Sequence, residues 1–205
     1  MAKKPQTDEI SHFYDYGIHV PSRTLYMGSE SDEEGSESGV DYVMAERVIK
    51  GLHLLESLAP LGDRPITIIM NNPGGDSTHG MAIYDAIKDC INHVTIEVKG
   101  NVCSMGSYIL QAADERVLSK NCVFMFHAGT VGFTSQHPKI VKNWMKFYDK
   151  QAEILDKILL DRINQKRAKD NEPPMSKQQF NNYNNFDTIL TAEEAIAWGL
   201  ADKLR

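Results

Sequence analysis

The chain has 205 residues, of which 41% are hydrophobic, and a formal net charge of -6. This length allows one domain with a sizeable core. The negative charge argues against an electrostatic nucleic-acid footprint, which needs a clustered basic surface, and no run approaches the roughly 18 consecutive apolar residues of a membrane span.

The first residues, Met1 to Glu9, carry positive charges with no apolar run behind them, so no secretory signal is expected and the protein is placed in the cytoplasm. Residues 1–22 are expected to be a mobile N-terminal segment. Arg23 to Gly28 reads as a short strand ending at glycine. Ser29 to Asp41 is acidic and punctuated by Gly and Ser; it cannot bury apolar surface and is expected as an exposed loop at 29–41. Val40, Val43, Met44, Val48, Leu52, Leu55 and Leu58 then recur at helical intervals.

Ile66 to Met70 is an apolar, β-branched run that predicts a buried strand, followed by the turn Asn71-Asn72-Pro73-Gly74-Gly75-Asp76. A helical pattern follows through Met81, Ile83, Tyr84, Ile87 and Ile91, then a strand Val94 to Val98 broken at Gly100, then a short helix over Ser104 to Ala113. Val117-Leu118 and Cys122 to Phe126 supply further strands. Repeated strand-turn-helix order predicts an α/β fold with parallel strands joined by helical crossovers. His137 to Lys169 sustains helical periodicity over many turns, a single long amphipathic helix stopped by Pro173-Pro174. Its length exceeds what one sheet face needs and favours a subunit contact.

Cys90, Cys103 and Cys122 include no C-x-x-C pair, so reduced thiols rather than disulfides or a thiolate zinc site are expected. The seven histidines include no H-x-x-x-H or H-E-x-x-H spacing, and no metal or other cofactor is expected. The glycine turn at 72–76 follows a strand and precedes a helix, where two residues without side chains leave backbone N–H groups free to face an acceptor. An ordinary turn reads the same way. It matches neither a P-loop nor a dinucleotide fingerprint, so nucleotide binding lacks support. Ser104 lies at a second strand-to-helix junction, as an N-cap or as a nucleophile favoured by the helix N-terminus, with Gly106 leaving space above the hydroxyl. A serine nucleophile needs a base within hydrogen-bond reach. His127, leaving the end of an apolar strand, is the best candidate, with His79 and His93 as competitors.

Asn72-Pro73-Gly74-Gly75, Cys103-Ser104-Met105-Gly106-Ser107, Phe126-His127, and Leu190 to Ala195 with Trp198-Gly199-Leu200 together resemble the proteolytic subunit of the Clp protease family, in its order and spacing from about Leu25 to Leu204. The resemblance implies a ClpP/crotonase-like fold, with a serine peptidase domain over 23–205 and the long helix as its handle. It places the nucleophile at Ser104, the base at His127, the orienting acid at Asp187, and the oxyanion donors at the backbone N–H groups of Gly74 and Met105. It further implies a peptide or unfolded-protein substrate, hydrolysis through an acyl-enzyme, heptameric rings stacked as a tetradecamer, and a possible AAA+ unfoldase partner. Two departures bear on ring stacking. Ala128-Gly129 stands where Gln-Pro usually follows the histidine, and Asn185-Phe186 stands where an Asp-Arg pair usually precedes the aspartate. Rival readings are a non-catalytic ring subunit and a crotonase-type acyl-CoA enzyme.

Overall fold

The alternation of apolar runs with helical patterns becomes a sheet that is mostly parallel. The computed structural model describes residues 7–28, 39–58, 64–134 and 136–205. Its strands are β1 (Ile18–His19), β2 (Thr24–Gly28), β3 (Ile66–Asn72), β4 (Val94–Cys103), β5 (Glu115–Leu118), β6 (Val123–Phe126), β7 (Thr188–Thr191) and β8 (Lys203–Leu204). Its helices are α1 (Thr7–Tyr16), α2 (Tyr42–Leu58), α3 (Ser77–Asp89), α4 (Met105–Leu110), α5 (Pro138–Lys169), α6 (Lys177–Asn184) and α7 (Ala192–Ala197). The strand order is β1-β2-β3-β4-β5-β8, with β6 joined to β4 and β7 joined to β6. The β1–β2 and β6–β7 pairs are antiparallel and the others are parallel. The α/β expectation therefore holds.

Central strands are apolar because helices cover the sheet. Ile66, Ile68, Met70, Val94, Ile96, Val98 and Val102 are completely buried. Burial of each such side chain contributes roughly 1.5–3 kcal/mol. Helix α2 adds Val48, Leu52 and Leu55 to this core, and α3 adds Ile83 and Ile87. Ile91, read as part of the α3 face, lies beyond the helix and is exposed.

Gly100 does not break the fourth strand, as the sequence reading expected. β4 runs through it to Cys103, with Gly100 at φ +81° and the Asn71 side chain accepting a hydrogen bond from the Asn101 N–H at 3.0 Å. A Cβ on Gly100 would come within 2.6 Å of Asn71 Oδ1, so glycine is required by this close approach as well as by its dihedral. On either side of Gly100 the strand changes neighbour. Thr95 to Val98 pair with β5, whereas Asn101 to Cys103 pair with β6.

Helix α5 begins on an N-cap His137 followed by proline, and ends at Lys169, with Asn171 left-handed at φ +57°. The stop thus precedes Pro173-Pro174. Only Gln151, Leu159 and Ile163 are buried along its 32 residues, and the apolar face of its first half, including Ile140, Trp144 and Phe147, is exposed.

Before residue 23, where no regular element was read from the sequence, α1 and β1 form, and β1 pairs with β2. Residues 29–38 of the acidic stretch lie outside the described residues. Its end is not an exposed loop: Val40 is buried, its N–H donates to the Gly74 carbonyl, and its own carbonyl accepts from the Asp76 N–H.

Candidate active site

Ser104 follows β4 directly and precedes α4. It occupies the N-cap position, yet its side chain makes no capping bond, and its backbone sits at φ +49°, ψ -124°. A non-glycine residue there carries strain of order 1–3 kcal/mol that the surroundings must hold in place. They do so through its N–H, which donates to the Met125 carbonyl at 2.8 Å, and its carbonyl, which accepts from the Ser107 N–H and hydroxyl at 2.9 and 2.7 Å. The turn releases the Ser104 hydroxyl towards His127.

His127 leaves the end of β6, and Asp187 immediately precedes β7. The His127 Nε2 lies 2.9 Å from Ser104 Oγ, and its Nδ1 lies 3.0 Å from Asp187 Oδ1. A carboxylate only accepts, so Nδ1 carries the proton and Nε2 is left to accept from the serine hydroxyl. Sheet register produces this arrangement. Cys103 is opposite Met125 and Phe126 is opposite Thr188, so the residues just beyond these pairs converge. The His127 backbone is fixed on both sides: its carbonyl accepts from the Tyr108 hydroxyl at 3.1 Å, and the next N–H, of Ala128, donates to the Asn184 carbonyl at 2.7 Å. Burial, with a smaller contribution from the Asp156 charge, raises the Tyr108 pKa, so the phenol remains a donor.

The competing histidines fall elsewhere. His93 stands at the opposite end of the ten-residue β4, 3.8 Å from Asp114, and His79 lies in the first turn of α3 beside Tyr42.

The glycine turn requires one correction. The Gly74 N–H, expected to face an oxyanion, donates to Asn72 Oδ1 at 2.8 Å. An asparagine side chain readily reaches back to the backbone two residues on, and here it consumes that donor. Gly75 instead has an N–H without a hydrogen bond among the described residues, since its bridge to Val40 engages only the flanking Gly74 carbonyl and Asp76 N–H. Gly75 also lines the cleft, together with Ser104, Met105 and His127. Met105 is the first residue of α4, so its N–H has no intrahelical acceptor. Gly106 does not make room above the hydroxyl: a Cβ there would meet Asn72 at 3.0 Å, whereas a Cβ on Gly74 would meet Ser104 at 2.5 Å.

The cleft has a volume of about 540 Å³ and is walled on one side by the turn and α4, on another by 127–132, and on the third by α5. Asn72 was read only as a member of the turn motif, and sequence reasoning gave no role to Tyr108, Asn184 or Gln151. Tyr108, one helical turn beyond Ser104, is the only one with a usable signal, its spacing. Among the described residues no three His, Cys, Asp or Glu side chains gather as a metal site, and no helix is long and apolar enough to cross a membrane.

The Clp protease family model matches residues 36–205. The chain is 30% identical over 168 residues to ATP-dependent Clp protease proteolytic subunit 2 of Pseudomonas aeruginosa, an alignment covering 81% of this chain and 77% of that protein. With four-fifths of its own length aligned to this relative, and residues 36–205 matched by the family model, the chain belongs to the Clp protease family.

Proposed function

We propose that this protein is a serine endopeptidase that cleaves peptide bonds through an acyl-enzyme. The observation that carries the reading is the hydrogen-bonded series Ser104 Oγ, His127, Asp187, with links of 2.9 and 3.0 Å beside an open cleft. Ser104 Oγ attacks the scissile carbonyl carbon while His127 Nε2 takes its proton. Asp187 holds the imidazole tautomer and stabilises the cation that forms. The N–H groups of Gly75 and Met105 receive the oxyanion. Collapse expels the amine, protonated by His127, and water repeats the sequence to release the acyl group.

The exposed apolar face on the first half of α5 supports self-association, because contiguous apolar surface on a helix calls for a partner. Heptameric rings stacked as a tetradecamer, with the sites enclosed and an AAA+ unfoldase supplying unfolded chains in the cytoplasm, form the assembly this reading adopts. Stacking must use contacts other than an Asp-Arg pair, since Asn185-Phe186 occupies that position.

The test is intact mass before and after a fluorophosphonate probe, with peptide mapping, on wild type and Ser104→Ala. One adduct at Ser104, absent from a folded Ser104→Ala protein, is expected. An assembled, folded wild type that takes up no probe would favour a non-catalytic ring subunit. Native mass measurement and copurification of an unfoldase test the assembly.

A further inference from the structure

Gln151 projects from α5 into the wall of the cleft and is 8% exposed. Polar side chains this deeply buried ordinarily have every hydrogen-bonding group engaged. Here only half is engaged: the Ser77 hydroxyl, at the first residue of α3, donates to Gln151 Oε1 at 2.8 Å. Nε2 makes no hydrogen bond among the described residues, and it is not among the side-chain atoms sealed from solvent. Ser77 therefore fixes the amide plane and leaves an N–H pair facing the cleft.

We infer that Gln151, oriented by Ser77, is a specificity-determining residue that selects a substrate side chain bearing a neutral hydrogen-bond acceptor, such as glutamine, beside the scissile bond. This rests on the peptidase reading of the same cleft. Three features define the preferred group. The unpaired Nε2 at the cleft wall asks for an acceptor. Met105, Tyr108 and Leu155 give the surrounding wall an apolar character suited to a methylene stem. Two carboxylates, Asp76 and Asp149, also line the cleft, which has no Lys or Arg among its lining residues. An anionic side chain is repelled there, so a neutral acceptor is taken in preference to glutamate. A site with a fixed donor also rejects an apolar isostere, because filling the pocket with one leaves the donor desolvated and unpaired. Methionine is the isostere of glutamine and provides the comparison.

The experiment uses matched peptides with Gln, Met or Glu at either residue flanking the scissile bond. It measures kcat/KM on wild type, Gln151→Met and Ser77→Ala, and dissociation constants for the same peptides on Ser104→Ala by calorimetry. At one of the two positions wild type is expected to prefer Gln over Met by about tenfold, with Glu weakest. Gln151→Met should reverse the Gln:Met ratio, and Ser77→Ala should shrink it. The dissociation constants on Ser104→Ala should follow the same order, so the subsite is tested even if no peptide is turned over, an outcome that would count against the peptidase reading instead. A Gln:Met ratio within twofold of unity at both positions, or one that Gln151→Met leaves unchanged, overturns the assignment.

Discussion

Replacing Gly74 by alanine puts a Cβ 2.5 Å from Ser104 Cβ, 3.0 Å from Ser104 Oγ and 2.9 Å from the Cys103 carbonyl. The nearest of these is about 0.9 Å short of an ordinary van der Waals contact, which begins at 3.4 Å. Nothing flexible lies in the way, since the obstructing atoms belong to the candidate nucleophile and to the backbone that feeds it. The glycine also sits at φ +104°, so alanine adds backbone strain of about 1–3 kcal/mol. Relief requires Ser104 to move by roughly 1 Å, and a displacement of that size costs on the order of 10²-fold in rate. We expect kcat/KM for a fluorogenic peptide to fall about 10²-fold, equivalent to about 2.7 kcal/mol of barrier, and the unfolding free energy to fall by about 1–3 kcal/mol. Peptidase kinetics and urea denaturation on the same preparation measure both. A Gly74→Ala protein within threefold of wild-type activity would refute the placement of the turn against Ser104.

Three further outcomes follow from the geometry. Asp187→Asn should lower kcat/KM by about 10²–10³-fold, less than the roughly 10⁴-fold of a buried triad acid, because Asp187 is 63% exposed and water can accept from Nδ1; retained activity within tenfold would sink its orienting role. Asp202→Asn leaves the buried Arg116 without the carboxylate it holds through Nε and Nη2, at 3.0 and 2.6 Å. Because the Asp202 side chain is 39% exposed, a loss of about 2 kcal/mol is expected, below the range for fully buried pairs, or about 4–8 °C in Tm. Burial opposes ionisation of Asp202, but the hydrogen bonds and charge of Arg116 outweigh it and hold the pKa below its ordinary value. Its stabilisation is therefore present above the unfolded value of about 3.9 and is lost as pH falls through the lower folded value. The Tm gap between wild type and Asp202→Asn should close in that acid window. Burial pushes the thiols of Cys90 and Cys122 up to about 11, so iodoacetamide at pH 8 should modify them on the order of 10²-fold more slowly than in urea; equal rates by peptide mapping would contradict their burial.

From the residues alone Ser104 and His127 were legible only as candidates, a serine at a strand-to-helix junction that could equally be an N-cap and a histidine leaving an apolar strand in competition with His79 and His93; the family resemblance joined them. Asp187 was not, since it follows the asparagine-rich Asn181 to Asn185 with no apolar period, and only family resemblance selected it among 28 acidic residues. Helix α6 was missed for the same reason. From Phe180 to Asn184 its residues have weak helical propensity, and it is held by tertiary contacts and caps: Phe180 is fully buried and stacks on Phe126 with centroids 5.8 Å apart, and Ser176 and Gln179 form a capping box. The choice between Gly74 and Gly75 depends on the rotamer of Asn72, which a Pro-Gly-Gly pattern does not encode. The strand called broken at Gly100 continues because the Asn71 side chain accepts from Asn101 where the ladder slips, a compensation visible only in three dimensions.

The division of β4 between two neighbours also governs when the site comes into being. Ser104, His127 and Asp187 sit at the ends of β4, β6 and β7, and the last of these strands spans Thr188–Thr191. A polypeptide emerging from its amino end can complete the β2-β3-β4-β5 layer while the Ser104–His127–Asp187 chain is still unassembled. The three side chains meet only once β6 has joined β4 and β7 has joined β6, so the series closes through pairings separate from that layer, in an order set by strand connectivity.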